Sequence, residues 1–381
     1  MKPHTVLLLV VVCAAVGVGA WWALRPKAPD SMPAGTVVFP GFPVNDVTKV
    51  VVSDPRGCAV IEKKGTFWVV PARYSYRADY ARVRDLLVTV MDMKVTQKRL
   101  VRPTSMGKMK LLGPEDANAP SNQYGTTISF YNQAGTRIAQ FIVGVEQADS
   151  DTADSDRFNQ PQAPKGRFIR VPARGDAVIS VTDSFPLQTS DDEWMDCVLA
   201  NVANDGIRSV TVTPPSGTVY RIERKARGAE FEIAGLNPTQ QIDSAAASSL
   251  GSTLSYLSAV TVVPPAVAAT NTALAAPWTL VCKTFDGPVY TLTVSDVRPL
   301  PAYLKMAVAY EKPASTNDPA MVRQFEIEDS AKRLNEQVSS WLYEISVAKV
   351  SEMRKTRAML IEAKSADTNT PTTKTETSPD P

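Results

Sequence analysis

The stretch DVTKVVVSDPRGCAVIEKKGTFWVV (46–70) decides how the body of this chain folds. Val47, Lys49 and Val51 alternate with Thr48, Val50 and Val52, the period-two pattern of a strand with one buried face. Pro55-Arg56-Gly57 marks a turn, Ala59 to Glu62 resumes the strand, and Lys64-Gly65 turns again into Phe67-Trp68-Val69-Val70. The result is a three-stranded meander. Directly after it, ADYARVRDLLVTVMDM (78–93) places Val83, Leu86, Leu87, Val90 and Met93 on one helical face, so a helix is expected to cover the sheet.

The same order recurs in the second half of the chain. DGIRSVTVTPPSGTVYRIERKARGAEFEI (205–233) sets Val210, Val212, Pro215 and Gly217 where the first meander has Val50, Val52, Pro55 and Gly57. With one inserted residue, Glu223-Arg224-Lys225 falls on Glu62-Lys63-Lys64, and Phe231 falls near Trp68. IDSAAASSLGSTLSYLSAV (242–260) then offers Ile242, Ala246, Leu250, Leu254 and Leu257 as a helical stripe. Each half continues into strands. The first has a hairpin over 126–144 turned at Gln133-Ala134-Gly135, then 166–172 and 177–181. The second has a hairpin over 278–295 turned at Asp286-Gly287, a strong hairpin dipeptide, then 303–311. After Gln324 the pattern becomes helical over 328–340. Trp341, Tyr343 and Ile345 then alternate as a short strand before a helix over 347–363, or the whole stretch is one long helix.

The expected fold class is α+β: two tandem repeats of mostly antiparallel sheet, each with a covering helix, plus an N-terminal transmembrane helix and C-terminal helices. The expected boundaries are an anchor (1–27), a Pro/Gly/Ala-rich tether (28–43), a first repeat (44–200), a second repeat (201–327), a C-terminal helical segment (328–363) and a disordered tail (364–381) that lacks large apolar residues.

The expected anchor is TVLLLVVVCAAVGVGAWWAL (5–24), without a charge and without a clean A-x-A-like site after it, so an uncleaved anchor is favoured over the alternative of a cleaved signal peptide. At about 1.5 Å per residue it spans roughly 30 Å, the thickness of a bilayer's hydrocarbon core. Trp21 and Trp22 sit where aromatic rings favour the headgroups, and Arg25-Pro26-Lys27 stops the run. The lipid bilayer is thus one expected partner, through residues 5–24. Lys2 faces Arg25 and Lys27 across this segment, so local charge leaves the orientation open. The short N-terminal stub makes a body outside the cytoplasm the default.

Composition narrows the function classes. The chain of 381 residues carries 41 Lys and Arg against 39 Asp and Glu, and no basic stripe, which argues against a nucleic-acid partner. The one histidine is His4, ahead of the membrane segment, so the body holds no Ser-His or Cys-His pair and no imidazole metal site. Cys58, Cys197 and Cys282 are widely spaced and read as semi-buried small hydrophobes, although one pair bridging in an oxidising compartment stays open. Two S-x-x-K matches, Ser105/Lys108 and Ser346/Lys349, have the spacing of a histidine-free dyad, but the pattern is short, and Lys349 reads as a solvated helix residue. DSDTADSD (149–156) offers oxygen ligands for Ca²⁺ without the EF-hand pattern and reads as a solvated loop. Trp68, Trp194, Trp278 and Trp341 are of a type that stacks on sugars, but they lie beside strand or helix patterns and read as core. No catalytic, cofactor-binding or metal-binding residue is assigned, and no cofactor is expected.

The apolar segment ending in Arg25-Pro26-Lys27, Asp46-Val47-Thr48-Lys49-Val50, Gly65-Thr66-Phe67-Trp68, Ala78-Asp79 before Val83 to Val90, and Leu334-Asn335 with Trp341-x-Tyr343 together resemble the DUF4340 family of bacterial envelope proteins. Lys110-Leu111-Leu112-Gly113-Pro114 is a loose version of the family's Gly-Leu-Asp-Pro-like stretch. The resemblance implies a non-enzymatic accessory protein of the inner membrane, its body periplasmic. It also implies protein partners in an ABC-type transport system linked to gliding motility, among them a membrane permease and a companion envelope subunit. An envelope glycan- or Ca²⁺-binding module and a Ser-Lys or carboxylate-dependent hydrolase are the alternatives.

Overall fold

The computed structural model describes residues 33–99, 103–116, 119–146, 166–174, 176–296, 298, 300–312 and 321–364. The anchor over 5–24, the acidic run 149–156 and the tail from 365 onward lie outside them. Among the described residues no helix is long and apolar enough to cross a membrane. Mostly antiparallel sheets with a few helices make the chain an α+β protein, and it divides into two compact units with the boundary between Trp194 and Met195.

In the first unit, β1 (Lys49–Asp54), β2 (Gly57–Lys64), β3 (Phe67–Val70) and β4 (Tyr76–Arg77) form the meander. Helix α1 (Tyr80–Asp92) follows; Asp79 caps it by accepting a hydrogen bond from the Arg82 amide, and Val83, Leu86, Leu87 and Val90 form its buried face. After β5 (Gln97–Arg99) and the short α2 (Pro103–Met106) come β6 (Thr126–Tyr131), β7 (Arg137–Glu146), β8 (Arg167–Val171) and β9 (Ala177–Val181). The nine strands make one sheet in the order β4-β3-β2-β1-β6-β7-β8-β9-β5.

The second unit contains β10 (Val198–Ala200), β11 (Ile207–Thr213), β12 (Tyr220–Glu223), β13 (Glu232–Ile233), β14 (Gln240–Ile242), α3 (Ser244–Gly251), β15 (Leu257–Ser258), β16 (Thr261–Val262) and α4 (Pro265–Thr270). Beyond these lie the hairpin β17 (Trp278–Thr284) and β18 (Pro288–Val294), then β19 (Ala302–Tyr310), α5 (Met321–Val338), β20 (Tyr343–Ile345), α6 (Val347–Met353) and β21 (Ile361–Ala363). The main sheet runs β13-β12-β11-β17-β18-β19-β20-β16, and two-stranded ladders join β10 to β15 and β14 to β21. Helix α3 lies against β11 and α5 against β19.

Several sequence expectations are corrected. Residues 33–43 are not a free tether: Val38 and Phe42 are buried, the Val38 amide donates to Met93 O at 2.8 Å, and Phe42 meets Phe130 edge-on at 5.3 Å. The apolar side chains outweigh the Pro/Gly spacing there. The helix expected over 242–260 stops at Gly251, although Leu254 and Leu257 remain buried beyond it. A Cβ on Gly251 would come within 2.4 Å of Phe231, so this close packing requires glycine. Residues 198–200, placed with the first repeat, pair with β15 of the second unit. The long-helix reading of the C-terminal region fails. Helix α5 starts at Met321, β20 joins the main sheet through Leu304↔Tyr343, and the helix expected over 347–363 ends at Met353 and gives way to β21.

Candidate functional site

The two sheets differ in how their second faces are covered. In the first unit, Thr127, Ser129, Gln140 and Arg170 point away from the face carrying Ile128, Phe130 and Phe141, yet all four are buried. The segment 103–116 covers part of that face: Leu111 packs with Phe168 and Val178, flanked by Met106 and Met109. Gly113 lies so close that a Cβ would sit 2.6 Å from Ile142 Cδ1. Arg170 fastens this cover. Its guanidinium donates to Asp116 at 2.6 and 3.2 Å, to the Leu111 carbonyl at 3.1 Å and to Asp176 at 2.9 Å. Burial raises the Asp116 pKa, but Arg170 and the Gly113 amide outweigh it and hold the carboxyl below the usual carboxylate range.

In the second unit, alternation along β17, β18 and β19 sends Leu280, Cys282, Leu292, Leu304 and Met306 into the core. The opposite face carries a cross-strand row, Thr211↔Val281↔Thr291↔Ala307, in which none of the four is buried. A second row, Thr213↔Thr279↔Thr293↔Lys305, lies beside it. An outer strand face ordinarily carries charge to stay solvated and to resist pairing. Here one row, Thr211–Val281–Thr291–Ala307, sets small uncharged side chains on four successive strands, with Arg221, Lys283 and Lys305 flanking it on the same face. This face is the candidate site, and its signal in the sequence was the Thr/Val/Ala alternation itself.

The residues singled out in the sequence fall elsewhere. Ser346 caps α6, its Oγ accepting from the Lys349 amide at 3.3 Å. The Lys349 ammonium is not solvated: it donates to the carbonyls of Ser252 and Ser255 at 3.3 and 3.5 Å and pairs with Glu352. The pair is therefore helix-end architecture, with the amine turned away from the hydroxyl. Among the described residues no hydrogen bond joins Ser105 to Lys108. Trp68, Trp194 and Trp278 are buried and Trp341 partly so; Trp194 donates to Gln188 O at 2.8 Å, and Arg354 stacks 5.3 Å over Trp278. Three of the four indoles are thus withdrawn from a sugar-stacking role.

None of the three body cysteines is in a disulfide. Cys58 is exposed, contrary to its reading as semi-buried, Cys197 is intermediate and Cys282 is buried. Burial pushes the Cys282 thiol up to about 12, and burial with nearby Asp191 also raises Cys58, so both are poor thiolate nucleophiles. A groove of about 430 Å³ beside Tyr220 and Trp278 is lined by Pro214, Pro215 and Ala358, with Arg354 and Asp296 paired at 2.8 Å across it. Among the described residues no three His, Cys, Asp or Glu side chains gather as a metal site.

The chain thus comprises two compact α+β units built on broad antiparallel sheets. A family model described as a domain of unknown function, DUF4340, matches residues 68–277, from β3 of the first unit to the start of the second unit's hairpin, and the chain belongs to this family. No curated protein and no solved structure gives a significant match.

Proposed function

We propose that this chain is a non-catalytic interaction subunit of the bacterial cell envelope, fixed to the cytoplasmic membrane through residues 5–24 with its body on the periplasmic side. Its partner in this reading is the membrane permease of an ABC-type transport system of the kind linked to gliding motility. The observation that carries the proposal is the Thr211–Val281–Thr291–Ala307 row, four small uncharged side chains in register of which none is buried, while Thr127, Ser129, Gln140 and Arg170 on the matching face of the first unit are buried.

The two units are, in the same proposal, copies of one module. The strand order supports this: β3-β2-β1-β6-β7-β8-β9-β5 in one sheet runs parallel in sequence logic to β13-β12-β11-β17-β18-β19-β20-β16 in the other. One copy keeps its outer face covered, and the other presents it to a partner.

Purification of the full chain from native membranes in mild detergent tests the assignment. The permease is expected to accompany the wild-type chain and to be lost from a Thr291→Arg/Ala307→Arg variant whose melting temperature is unchanged. Recovery of the wild-type chain as a lone monomer overturns it.

A further inference from the structure

At one end of the open sheet face a cleft of about 250 Å³ brings four cations, Arg208, Arg221, Lys283 and Lys312, around a single carboxylate, Glu311. The backbone builds this cluster on purpose-shaped geometry. Ile207 pairs with Thr284 but Ser209 pairs with Lys283, so Arg208 is the extra residue of a β-bulge. A bulge re-aims a side chain, and here it leaves Arg208 exposed and lining the cleft. The strand in the equivalent place of the first unit, β1, pairs with β6 in unbroken register.

Glu311 is fixed by its own backbone. Its amide donates to Gly287 O at 2.9 Å, and a Cβ on Gly287 would lie 2.8 Å from Glu311 O, so only glycine fits the turn. Lys283 donates to the Glu311 carboxylate at 2.5 Å, and Arg208 and Arg221 add their fields, which together hold that carboxyl below its ordinary range. Arg221 is also shared with Glu223 at 2.7 Å. The Arg208 carbonyl accepts from the Arg224 amide at 2.9 Å, but the Arg208 guanidinium and the Lys312 ammonium have no hydrogen-bond or ion-pair partner among the described residues. Between Glu223 and Lys283 in register, Ser209 buries a hydroxyl that has no partner.

We propose that this cleft binds a terminal phosphate, with Glu311 occupying part of the cationic site until the anion displaces it. A phosphate monoester presents three oxygens and close to two charges, which matches several converging donors better than one more carboxylate would. The source is a free phosphate compound or a lipid headgroup. This assignment is independent of the docking role of the Thr/Val/Ala rows, because its lining residues and its test differ.

Titration calorimetry on the full chain in detergent, at low ionic strength, tests it with inorganic phosphate and with dihexanoyl phosphatidic acid, using dihexanoyl phosphatidylcholine as control. Saturable binding of phosphate is expected. Arg208→Ala and Lys312→Ala, neither of which removes a structural bond, should each weaken it about tenfold. Glu311→Gln should tighten it. Phosphatidic acid binding well above phosphate, with no response to phosphatidylcholine, identifies a headgroup; equal affinity identifies a free phosphate. Absence of saturable binding by both anions, or binding unchanged in Arg208→Ala and Lys312→Ala, overturns the proposal.

Discussion

Arg170 and Asp116, more than fifty positions apart in sequence, are joined by two hydrogen bonds of 2.6 and 3.2 Å, and that pairing holds residues 111–116 onto the first sheet. The Arg170 side chain is only 9% exposed, while Asp116 keeps 27% of its surface. Removing one partner of a buried ion pair typically costs about 3–5 kcal/mol, and the partial exposure of Asp116 places Arg170→Met nearer about 2–3 kcal/mol. Urea denaturation should show a lower midpoint. An unchanged midpoint would mean the cover is held by Leu111 packing alone.

The same pair has a pH signature. Because Asp116 titrates lower when folded, its stabilising contribution is complete above the unfolded value of about 4 and is lost as pH falls through the folded value below it. Thermal melts from pH 6 to pH 2 should therefore fall more steeply in wild type than in Arg170→Met. Parallel curves would remove this pair as a source of acid sensitivity.

Asp183 behaves in the opposite sense. Burial, and secondarily the charge of Asp92, raises its pKa. A carboxyl with a raised folded pKa costs stability once pH exceeds the unfolded value, so Asp183→Asn should melt higher at pH 7. The advantage should vanish below about pH 4, where both states carry the proton. A variant that melts lower at pH 7 contradicts this account.

Two glycines separate strain from crowding. Gly217 has φ +81° with open space around its missing side chain, whereas Gly287 has φ +110° and would set a Cβ 2.5 Å from the Tyr310 ring. Gly217→Ala should cost about 1 kcal/mol from backbone strain alone, and Gly287→Ala at least about 2–3 kcal/mol. Equal losses in a denaturant titration would show that the hairpin end relaxes around the added methyl.

Ser346→Ala should lower stability by about 1 kcal/mol, the usual effect of losing an N-cap oxygen. A Ser346→Thr variant keeps the cap oxygen and should recover most of that loss. A loss in Ser346→Ala that Ser346→Thr does not recover would assign the residue some role other than capping.

Much of the fold could be read from local pattern. The β1–β3 meander and the β17–β18 hairpin carry period-two alternation over four or more residues and turn at Gly65 and Gly287, so their register was legible. Strands β5 and β16 are two or three residues long and are strands only because a neighbouring edge pairs with them, which no local period records, whereas β20 showed as the Trp341, Tyr343, Ile345 alternation beside the long-helix reading. Residues 33–43 look like a linker by composition, but three aromatic and aliphatic side chains, Val38, Phe39 and Phe42, were enough to dock them. The open face was visible as alternation, but its exposure was not. Whether Thr291 and Ala307 meet solvent depends on what the segment between helix and hairpin covers, and that is decided by tertiary contacts. The bulge at Arg208 has no sequence mark at all, since one extra residue in a ladder appears only when both strands are paired.

The pairing of β20 with β19 and of β21 with β14 sets an order of assembly. The first sheet is complete once Val181 has been made, whereas the second waits for Ile345, and the separate β14–β21 ladder waits for Ala363. During synthesis the first unit can close while the second still lacks its eighth strand, leaving the β19 edge unpaired in the interval. A chaperone that recognises nascent strands has its longest opportunity there, and a stop codon before residue 343 should yield a folded first unit carrying an aggregation-prone remnant.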